Sequence, residues 1–399
     1  MSRFRLGRAR LTAKGARRRR SGHPWVFRDD LAEVDPGAGF LVEVFDPDAR
    51  RLGLAAWSPA SKISLRFLSA DPDLEIRDRG RWFSERIGLA LERRAPLEQE
   101  TDSYRVAWSE ADGLPGLIAD RYADVVVLQT LNPFMEEHLD HIVPALVELL
   151  RPRMVLARND SGVRAYEGLP RRIELCHGTR VESVSIREHE LELRVDPFRG
   201  QKTGYYLDQR PARKLVERLS SESEGRVLDL FCHTGSFALH AARGGASEVI
   251  AVDSSEKALE ECAAAAERNS LSNVHTQRGN AFAVLKSLQA SGETFDGIVL
   301  DPPAFAKRRE DLSSARRGYR DINSRAMRLL RHGGWLVTSS CSANLRPEDF
   351  HRVLSESAGR AGRSFVDRGR LQVAMDHPVL LTLPESDYLK VHHLQAPSD

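Results

Sequence analysis

Hydrophobic and polar positions follow two different patterns along the chain, and the change comes near residue 225. Upstream, the runs at 40–45 and 62–68 alternate apolar and polar residues between Gly- and Pro-containing turns, which predicts strands of a small β-barrel-like module. Downstream, continuous apolar runs alternate with helical stretches, which predicts a parallel, doubly wound sheet with helices on both faces. Those strands are predicted at 226–231, 248–253, 274–278, 297–300 and 334–340, and the helices at 236–243, 255–269, 281–289 and 317–331.

A mixed pattern separates these two regions. It follows the linker Asp71-Pro72-Asp73, begins with a helix over 76–94 and contains a second helix that starts near Asn132-Pro133. We interpret it as a mixed α/β region. Its strands are predicted at 103–109, 115–121, 124–130, 153–158, 181–187 and 190–195.

Charge is unevenly distributed along the chain. The 399 residues contain 59 Lys and Arg against 57 Asp and Glu, a formal net charge of +2. Nine of the basic residues lie within 1–20, which holds no acidic residue, so the remainder carries 50 basic against 57 acidic residues. A globally basic nucleic-acid coat is excluded, but a local one is not. We interpret residues 1–20 as part of a nucleic-acid-binding surface, the alternatives being a transit peptide or a solvated tail.

Composition argues against several other classes of protein. No run approaches the roughly 18 apolar residues of a membrane-spanning helix, and no apolar signal-peptide run follows the basic start. The four cysteines form no Cys-x-x-Cys pair, which fits a reducing cytoplasm. No metal site is predicted: His138 and His141 have helical spacing but lack an acidic third ligand, so we expect them at the surface.

The first segment with chemical information runs from Asp229 to Phe237, after the first strand of the doubly wound sheet. Its single glycine, Gly235, does not meet the G-x-G-x-x-G pattern of dinucleotide-binding turns. An acidic strand end with one glycine favours S-adenosylmethionine instead, because Gly235 lets the backbone approach the ligand and Asp229 can accept from its ammonium group. An ordinary strand-to-helix turn is the alternative.

Two further strand ends offer polar groups to the same ligand. Asp253 lies 24 residues after Asp229, where a carboxylate can accept from both hydroxyls of a ribose. Asn280 follows the third strand, where its amide can read an adenine amine. Each residue has a role at the start of a helix as its alternative.

The fourth strand ends in Asp301-Pro302-Pro303, followed by Phe305. The two prolines stiffen a loop that can present the Asp301 carboxylate to the polar edge of a planar base, with Phe305 available to stack. A plain strand-ending turn is the alternative. Lys307, Arg308 and Arg309 come next and favour phosphate contact over the alternative of a solvated helix face.

The fifth strand ends at Cys341. A cysteine at this edge, beside the Asp301 loop, is a candidate nucleophile, whereas in isolation it would be read as a small buried hydrophobe.

Six segments, taken in their order along the chain, resemble a known family. They are Gly22–Phe27, Gly200–Arg210, Asp229–Gly235, Asp301–Lys307, Thr338–Ser342 and Pro384–Lys390. Over about residues 3–395 the chain is similar to the bacterial PUA-domain methyltransferases that make 5-methylcytosine in large-subunit ribosomal RNA. Two positions depart from the family pattern, with His233 in place of the usual Tyr and Asn280 in place of the usual Asp.

The resemblance implies a fold, a cofactor and a partner. The cofactor is S-adenosylmethionine, and the partner is ribosomal RNA of the large subunit or its assembly intermediate, in the cytoplasm and away from membranes; formation of a homodimer is left open. The α/β chain is then expected to contain a PUA-like RNA-binding domain over 1–72, a central mixed α/β domain over 73–195 and a doubly wound, Rossmann-like class I methyltransferase domain over 196–399.

The resemblance also implies roles for individual residues. Cys341 matches the catalytic cysteine of the family, and Phe231 belongs to the cofactor turn. Lys202, Gln209 and Arg210 are expected to touch cofactor or RNA, with interdomain salt bridging as the alternative.

These residues support a hypothesis for the chemistry. A Cys341 thiolate that adds to C6 of cytosine makes C5 nucleophilic enough to accept a methyl group, while Asp301 holds the N3/N4 edge. Water or Asp301 then removes the C5 proton. Two rivals are an exocyclic-amine RNA methyltransferase acting on adenine or guanine, and a non-catalytic ribosome-assembly factor that binds RNA.

Overall fold

A computed structural model describes residues 6–37, 39–306 and 309–398. The chain divides into two compact units. The first unit comprises Met1–His189, Arg194–Leu207 and Met375–Ser386, and the second comprises Glu190–Leu193, Asp208–Ala374 and Asp387–Asp399. The sequence pattern does not indicate that 375–386 belongs with the first unit. The domain boundaries after residues 72 and 195 stay a prediction.

The first unit begins with a six-stranded sheet. Its elements are β1 (Leu6–Leu11), α1 (Ala13–Arg20), β2 (Trp25–Phe27), β3 (Leu31–Gly37), β4 (Leu41–Phe45), β5 (Arg51–Trp57) and β6 (Ile63–Phe67), with strand order β2-β6-β5-β4-β1-β3. Strand β1 lies inside the sheet, parallel to β4 and antiparallel to β3. The Thr12 hydroxyl caps α1 by accepting from the Gly15 N–H. Residues 6–20 are therefore a strand and a helix, and not a solvated tail.

A second sheet of the first unit has the strand order β11-β10-β9-β8-β7. Its elements are α2 (Arg79–Arg94), β7 (Ser103–Trp108), β8 (Leu117–Tyr122), β9 (Val125–Thr130), α3 (Pro133–Glu137), α4 (Leu139–Leu150), β10 (Met154–Asn159) and β11 (Arg172–Gly178); β12 (Val184–Glu188) and β13 (Leu191–Val195) follow. Helices α2 and α4 pack their apolar residues on one face of this sheet. Strand β11 was not predicted, because most of its residues are exposed and it shows no alternation.

His138 does not lie at the surface as we expected. It is buried, its Nδ1 lies 2.7 Å from the Phe134 carbonyl oxygen, and its ring packs against Phe83. The apolar surroundings lower the pKa of His138, mainly through desolvation.

The second unit is built on a seven-stranded, Rossmann-like sheet. Its elements are α5 (Arg210–Ser223), β14 (Arg226–Leu230), α6 (Ser236–Arg243), β15 (Glu248–Asp253), α7 (Glu256–Arg268), β16 (Val274–Arg278), α8 (Ala281–Ala290), β17 (Phe295–Leu300), α9 (Leu312–Leu329), β18 (Leu330–Ser340), α10 (Pro347–Ala361), β19 (Val366–Arg370) and β20 (Lys390–Gln395). The strand order is β16-β15-β14-β17-β18-β20-β19. The predicted parallel strands are confirmed, but β20 pairs antiparallel to β18.

Apolar side chains cover both faces of this sheet, as the continuous apolar strands indicate. Within the described residues, no helix has the length and apolar character needed to cross a membrane.

Candidate active site

The carboxyl ends of β14, β17 and β18 lie side by side at one edge of the seven-stranded sheet. Leu230 at the end of β14 pairs with Leu300, and Leu300 pairs in turn with Thr338 of β18. Parallel pairing therefore brings the residues that follow these strands to the same edge, where ligands of such sheets bind.

Asp229 is a fully buried carboxyl group at this edge. One of its oxygens, Oδ2, accepts from the Ala238 N–H at 3.0 Å, whereas Oδ1 has no hydrogen-bond partner among the described residues. Desolvation raises the pKa of Asp229 to about 8, and the nearby charges of Asp301 and Asp253 add to the rise. A buried acceptor without a donor is unfavourable unless a ligand supplies one, so Asp229 fits a cationic or hydrogen-bond-donating ligand.

The turn after β14 is shaped by three left-handed residues. Phe231, His233 and Gly235 have φ angles of 64°, 50° and 80°. A Cβ at Gly235 would lie 2.1 Å from the Cys262 Sγ, so the backbone passes too close to α7 for any side chain at this position. Phe231 itself is half-buried. Close packing of the turn against α7 therefore accounts for the glycine at position 235.

Asp253 holds the turn and begins the next helix. Its Oδ2 accepts from the His233 N–H at 3.0 Å, and its Oδ1 accepts from the Ser255 N–H at 2.9 Å. The helix α7 is capped by Ser255, whose hydroxyl accepts from the Ala258 N–H. Each Asp253 oxygen keeps a further lone pair, so these contacts are compatible with the predicted ribose contact.

Asn280 caps the helix α8. Its Oδ1 accepts from the Phe282 and Ala283 N–H groups at 3.1 and 3.3 Å. The Asn280 oxygen therefore has the alternative role, that of helix cap. Asn280 is exposed, and its amide nitrogen is the group that remains for a ligand. The adenine contact stays a prediction.

Asp301 is fixed by two donors from neighbouring elements. Its Oδ1 accepts from the Gln209 Nε2 at 2.9 Å and from the Ser339 hydroxyl. Gln209 is buried at the start of α5, and its Oε1 has no hydrogen-bond partner among the described residues. Gln209 and Asp301, which were predicted separately, therefore form one polar cluster, and Ser339 is an addition that sequence reasoning missed.

The loop after Asp301 is stiff and partly buried. Pro302 is buried, Pro303 is exposed, and the half-buried Phe305 ring packs at 4.6 Å from the Tyr319 ring. The Ala306 N–H donates to the Ser342 hydroxyl at 3.3 Å, which links this loop to the end of β18. Lys307 and Arg308 lie outside the described residues, so their predicted RNA contacts stay predictions.

Cys341 is half-buried directly after β18. The residues on either side of it are anchored through Tyr319, whose hydroxyl lies 3.0 Å from the Ser340 Oγ and 3.1 Å from the Ser342 Oγ. Lys390 of β20 donates to the Ser342 carbonyl oxygen at 2.8 Å. Sequence reasoning gave Lys390 no role, and its place in the family-like segment 384–390 was the only signal that could have indicated one.

The two other predicted contact residues belong to different units. Arg210 is buried at the first position of α5, next to Gln209. Lys202 belongs to the first unit, where its Nζ lies 4.7 Å from the centre of the Tyr206 ring. Their predicted contacts with cofactor or RNA stay predictions.

In the basic segment of the first unit, residues 6–20, several arginines form ion pairs or hydrogen bonds with other residues of the same unit. Arg18 donates to the buried Asp30 at 2.7 Å, and Arg20 donates to the buried Asp46 at 2.5 Å. Arg19 is buried with its guanidinium 3.9 Å from the centre of the Phe67 ring, and it donates to the Ser69 carbonyl oxygen. These three arginines therefore have structural partners.

Family models match most of the chain. A model of an S-adenosylmethionine-dependent methyltransferase matches residues 114–379, and a model of a PUA-like domain matches residues 9–70. The chain is 40% identical over 375 residues to ribosomal RNA large subunit methyltransferase I of Aeromonas salmonicida, covering 92% of this chain and 94% of that protein. It is 39% identical over 376 residues to the protein of the same name from Shewanella frigidimarina, with the same coverage.

Solved structures show the same fold at lower sequence identity. SMU.776, a protein assigned as a methyltransferase and crystallised with SAH, has a TM-score of 0.84 and 22% identity, covering 98% of this chain and 100% of that chain. A protein from Streptococcus mutans, assigned as SAM-dependent, has a TM-score of 0.82 and 21% identity with the same coverage.

Proposed function

The chain belongs to the S-adenosylmethionine-dependent methyltransferase family, and on that premise we propose that it methylates C5 of a cytosine in large-subunit ribosomal RNA. The observation that carries the proposal is the position of Cys341 beside Asp301 at the same sheet edge as Asp229. A thiol is not needed for methylation of an exocyclic amine, whereas C5 methylation needs a nucleophile. The names of the curated relatives and the PUA-like domain support ribosomal RNA as the substrate.

The groups at the edge of the sheet fit S-adenosylmethionine. Asp229 would accept from its ammonium group, Gly235 would admit its amino-acid part, and Asp253 would accept from its ribose hydroxyls. When bound, the cofactor supplies an electrophilic methyl group. The Oδ1 of Asp229, which has no hydrogen-bond partner among the described residues, is the feature of this chain that supports the fit.

Cys341 would act as the nucleophile on the base. Its thiolate adds to C6 of cytosine, which places electron density at C5; after methylation the C5 proton leaves to water or to Asp301, and the Cys341–C6 bond breaks. The Ser340 and Ser342 hydroxyls, held by Tyr319, fix the backbone on both sides of the nucleophile. The Cys341 thiol is therefore held in place by its two neighbours in the chain.

Asp301 would hold the N3/N4 edge of the same cytosine. Gln209 and Ser339 occupy its Oδ1, so the carboxylate is oriented before the base arrives. Pro302 and Pro303 restrict the backbone that follows it. Because Asp301 and Cys341 must reach both an edge and the face of one base, the target nucleotide has to be outside a stacked helix.

The substrate would be read in part by basic residues. Arg317 is exposed on α9, shortly after the loop that carries Lys307, and can approach a phosphate backbone. An RNA substrate of this kind places the protein in the cytoplasm. Whether the substrate is naked RNA or an assembly intermediate is decided by offering both.

The test is mass spectrometry of nucleosides from large-subunit RNA and from subunit particles after incubation with the protein and S-adenosylmethionine. We expect 5-methylcytidine with the unchanged chain and with Cys176→Ser, a matched control in the first unit, and none with Cys341→Ser. Methyladenosine or methylguanosine would overturn the proposal in favour of amine chemistry. Absence of S-adenosylmethionine binding in calorimetry would favour a non-catalytic RNA-binding factor.

A further inference from the structure

Lys390 is a buried lysine beside the nucleophile position. It is the first residue of β20, and the antiparallel register pairs it with Ser340, the last residue of β18. Only 1% of Lys390 is exposed. Burial of a lysine is uncommon because desolvation penalises its charged form, so its surroundings need to be accounted for.

The Lys390 ammonium group is held by two carbonyl groups. Its Nζ donates to the Ser342 oxygen at 2.8 Å and to the Tyr388 oxygen at 2.7 Å. An ammonium group has three N–H donors, so these bonds use two of them. Because Ser342 directly follows Cys341, the positive charge is fixed next to the backbone of the thiol-bearing residue.

The charged groups around Lys390 are Asp387, Arg370 and the Cys341 thiol. Asp387 is paired with the Arg370 guanidinium, which also donates to the Leu389 carbonyl oxygen at 2.7 Å. In the described part of the chain no carboxylate forms a salt bridge with Lys390. Desolvation lowers the pKa of Lys390 to about 8; Cys341 opposes this fall, Arg370 adds to it and Asp387 opposes it. Tyr319 is a further titratable group close to Cys341.

We propose that Lys390 is a positioning residue that stabilises the thiolate form of Cys341 by its buried positive charge. The inference rests on the proposed role of Cys341 as nucleophile. The thiol proton leaves to solvent, Lys390 keeps its own protons, and no covalent bond of Lys390 forms or breaks. A fixed positive charge bonded to the carbonyl group of the next residue favours the ionised thiol, and it is weakly screened where water is excluded.

Two substitutions separate the charge of Lys390 from its hydrogen bonds. Lys390→Gln removes the charge but keeps an N–H donor for the carbonyl groups, and Lys390→Met removes both. Lys286→Gln, at an exposed lysine of α8, is the matched control for loss of one positive charge. The full chain, without RNA or cofactor, is alkylated with iodoacetamide across pH 6 to 10, and the Cys341 peptide is quantified by mass spectrometry.

We expect the thiol pKa of Cys341 to rise by roughly one unit in both Lys390 variants, which lowers its alkylation rate at pH 7 by up to about tenfold. Lys286→Gln should match the unchanged chain. Turnover of Lys390→Gln should fall at pH 7 and recover towards the unchanged enzyme as the pH rises, a recovery that a purely structural tether would not produce.

An unchanged thiol pKa in a folded Lys390→Gln variant would overturn the inference and leave Lys390 as a backbone tether. This result is distinct from failure of the proposed function. If RNA containing 5-fluorocytidine is trapped on Cys341 while Lys390→Gln leaves the thiol pKa unchanged, only the proposed role of Lys390 fails. If no RNA is trapped while the thiol pKa does shift, the charge effect stands and the proposed nucleophile role fails. If Lys390→Met does not fold, the thiol pKa of the Lys390→Gln variant alone tests the role of the Lys390 charge.

Discussion

The basic segment at residues 6–20 and the carboxyl edge of the seven-stranded sheet differ in how their polar groups are satisfied. The basic segment is dense in charge, yet Arg18, Arg19 and Arg20 have partners within the fold. The sheet edge is modest in charge, yet the Asp229 Oδ1 and the Gln209 Oε1 are buried without a hydrogen-bond partner among the described residues. Density of charge in a sequence is therefore a weaker sign of a binding site than a buried polar atom without a partner.

The difference has a physical origin. The five N–H donors of a guanidinium group can all find acceptors on nearby carboxylates and carbonyl oxygens. Arginines in a strand-helix segment therefore become part of the packing. Backbone donors at the end of a buried strand reach only some carboxyl oxygens: the Asp229 Oδ2 accepts from the Ala238 N–H, whereas its Oδ1 has no partner among the described residues. This second oxygen is stabilised only by a ligand or by protonation, and the raised pKa of Asp229 reflects the second case.

The largest expected effect is on the fold of the first unit. Deletion of residues 1–20 removes β1, which lies between β3 and β4, so we expect loss of the six-stranded sheet rather than a selective loss of RNA binding. Limited proteolysis and circular dichroism check this. If the deleted chain keeps a cooperative unfolding transition in this sheet, the basic segment is dispensable for folding, and its arginines are not structural residues.

Gly235→Ala should have the next largest effect. The new Cβ would meet the Cys262 Sγ, and φ of 80° disfavours any side chain, so we expect a loss of roughly 1–3 kcal/mol in the free energy of unfolding. Cofactor affinity should fall on the order of 100-fold, since the turn must shift. Calorimetry measures the affinity. In the double variant Gly235→Ala with Cys262→Ala, part of the stability should return; no return would mean that the contact is not the cause.

Asp229→Asn tests the buried carboxyl group through pH. Below its pKa of about 8, Asp229 is mostly protonated, and binding an ammonium group favours the ionised form, so affinity should rise up to about tenfold per pH unit between pH 6 and 8. The amide cannot ionise, so the variant should show a flat profile and about tenfold weaker binding at pH 8. If cofactor affinity depends on pH in the same way in Asp229→Asn and in the unchanged chain, Asp229 does not bind the ammonium group of the cofactor.

The same carboxyl group makes a prediction for stability. Its folded pKa lies above the unfolded value, so the folded protein holds a proton that the unfolded chain releases between about pH 4 and 8. Its contribution to stability is therefore fully present at low pH and lost as the pH rises through 8. Chemical denaturation should show Asp229→Asn gaining stability relative to the unchanged chain as the pH rises; a constant difference would contradict the raised pKa.

Single substitutions in the basic segment should change RNA binding only slightly. Arg17 is exposed, so Arg17→Gln should weaken RNA binding about threefold and lower the slope of log affinity against log salt by roughly 0.7–0.9. Arg20→Gln removes a charge that is already paired with Asp46, so its effect on the slope should be smaller. Filter binding over a salt series measures both, and equal slopes would mean that the ion pair does not withhold charge from RNA.

The strand-helix alternation predicted much of the site because polar residues stand out after continuous apolar strands. Asp229, Asp253, Asp301 and Cys341 could be found this way, since parallel pairing places the ends of β14, β15, β17 and β18 at one edge. Their chemical roles rest on the residue types and on the family resemblance.

The remaining parts of the site had no comparable signal. Gln209 reaches Asp301 from α5, which lies before the alternating pattern begins, and this contact depends on tertiary packing. Lys390 reaches the Ser342 carbonyl oxygen, next to Cys341, from β20, an antiparallel strand that the alternation of strands and helices does not predict. The strand β11 and the return of 375–386 to the first unit were missed for the same reason, because neither has a distinct hydrophobic period.

The covalent bond that we propose between Cys341 and a cytosine can be trapped chemically. Large-subunit RNA containing 5-fluorocytidine is incubated with the protein and S-adenosylmethionine, and the denatured mixture is resolved and digested. Because fluorine at C5 cannot leave as a proton does, the account predicts a stable RNA–protein adduct that maps to the Cys341 peptide and is absent in Cys341→Ala. An adduct or methylated RNA formed by Cys341→Ala, or no adduct with the unchanged chain, would contradict it.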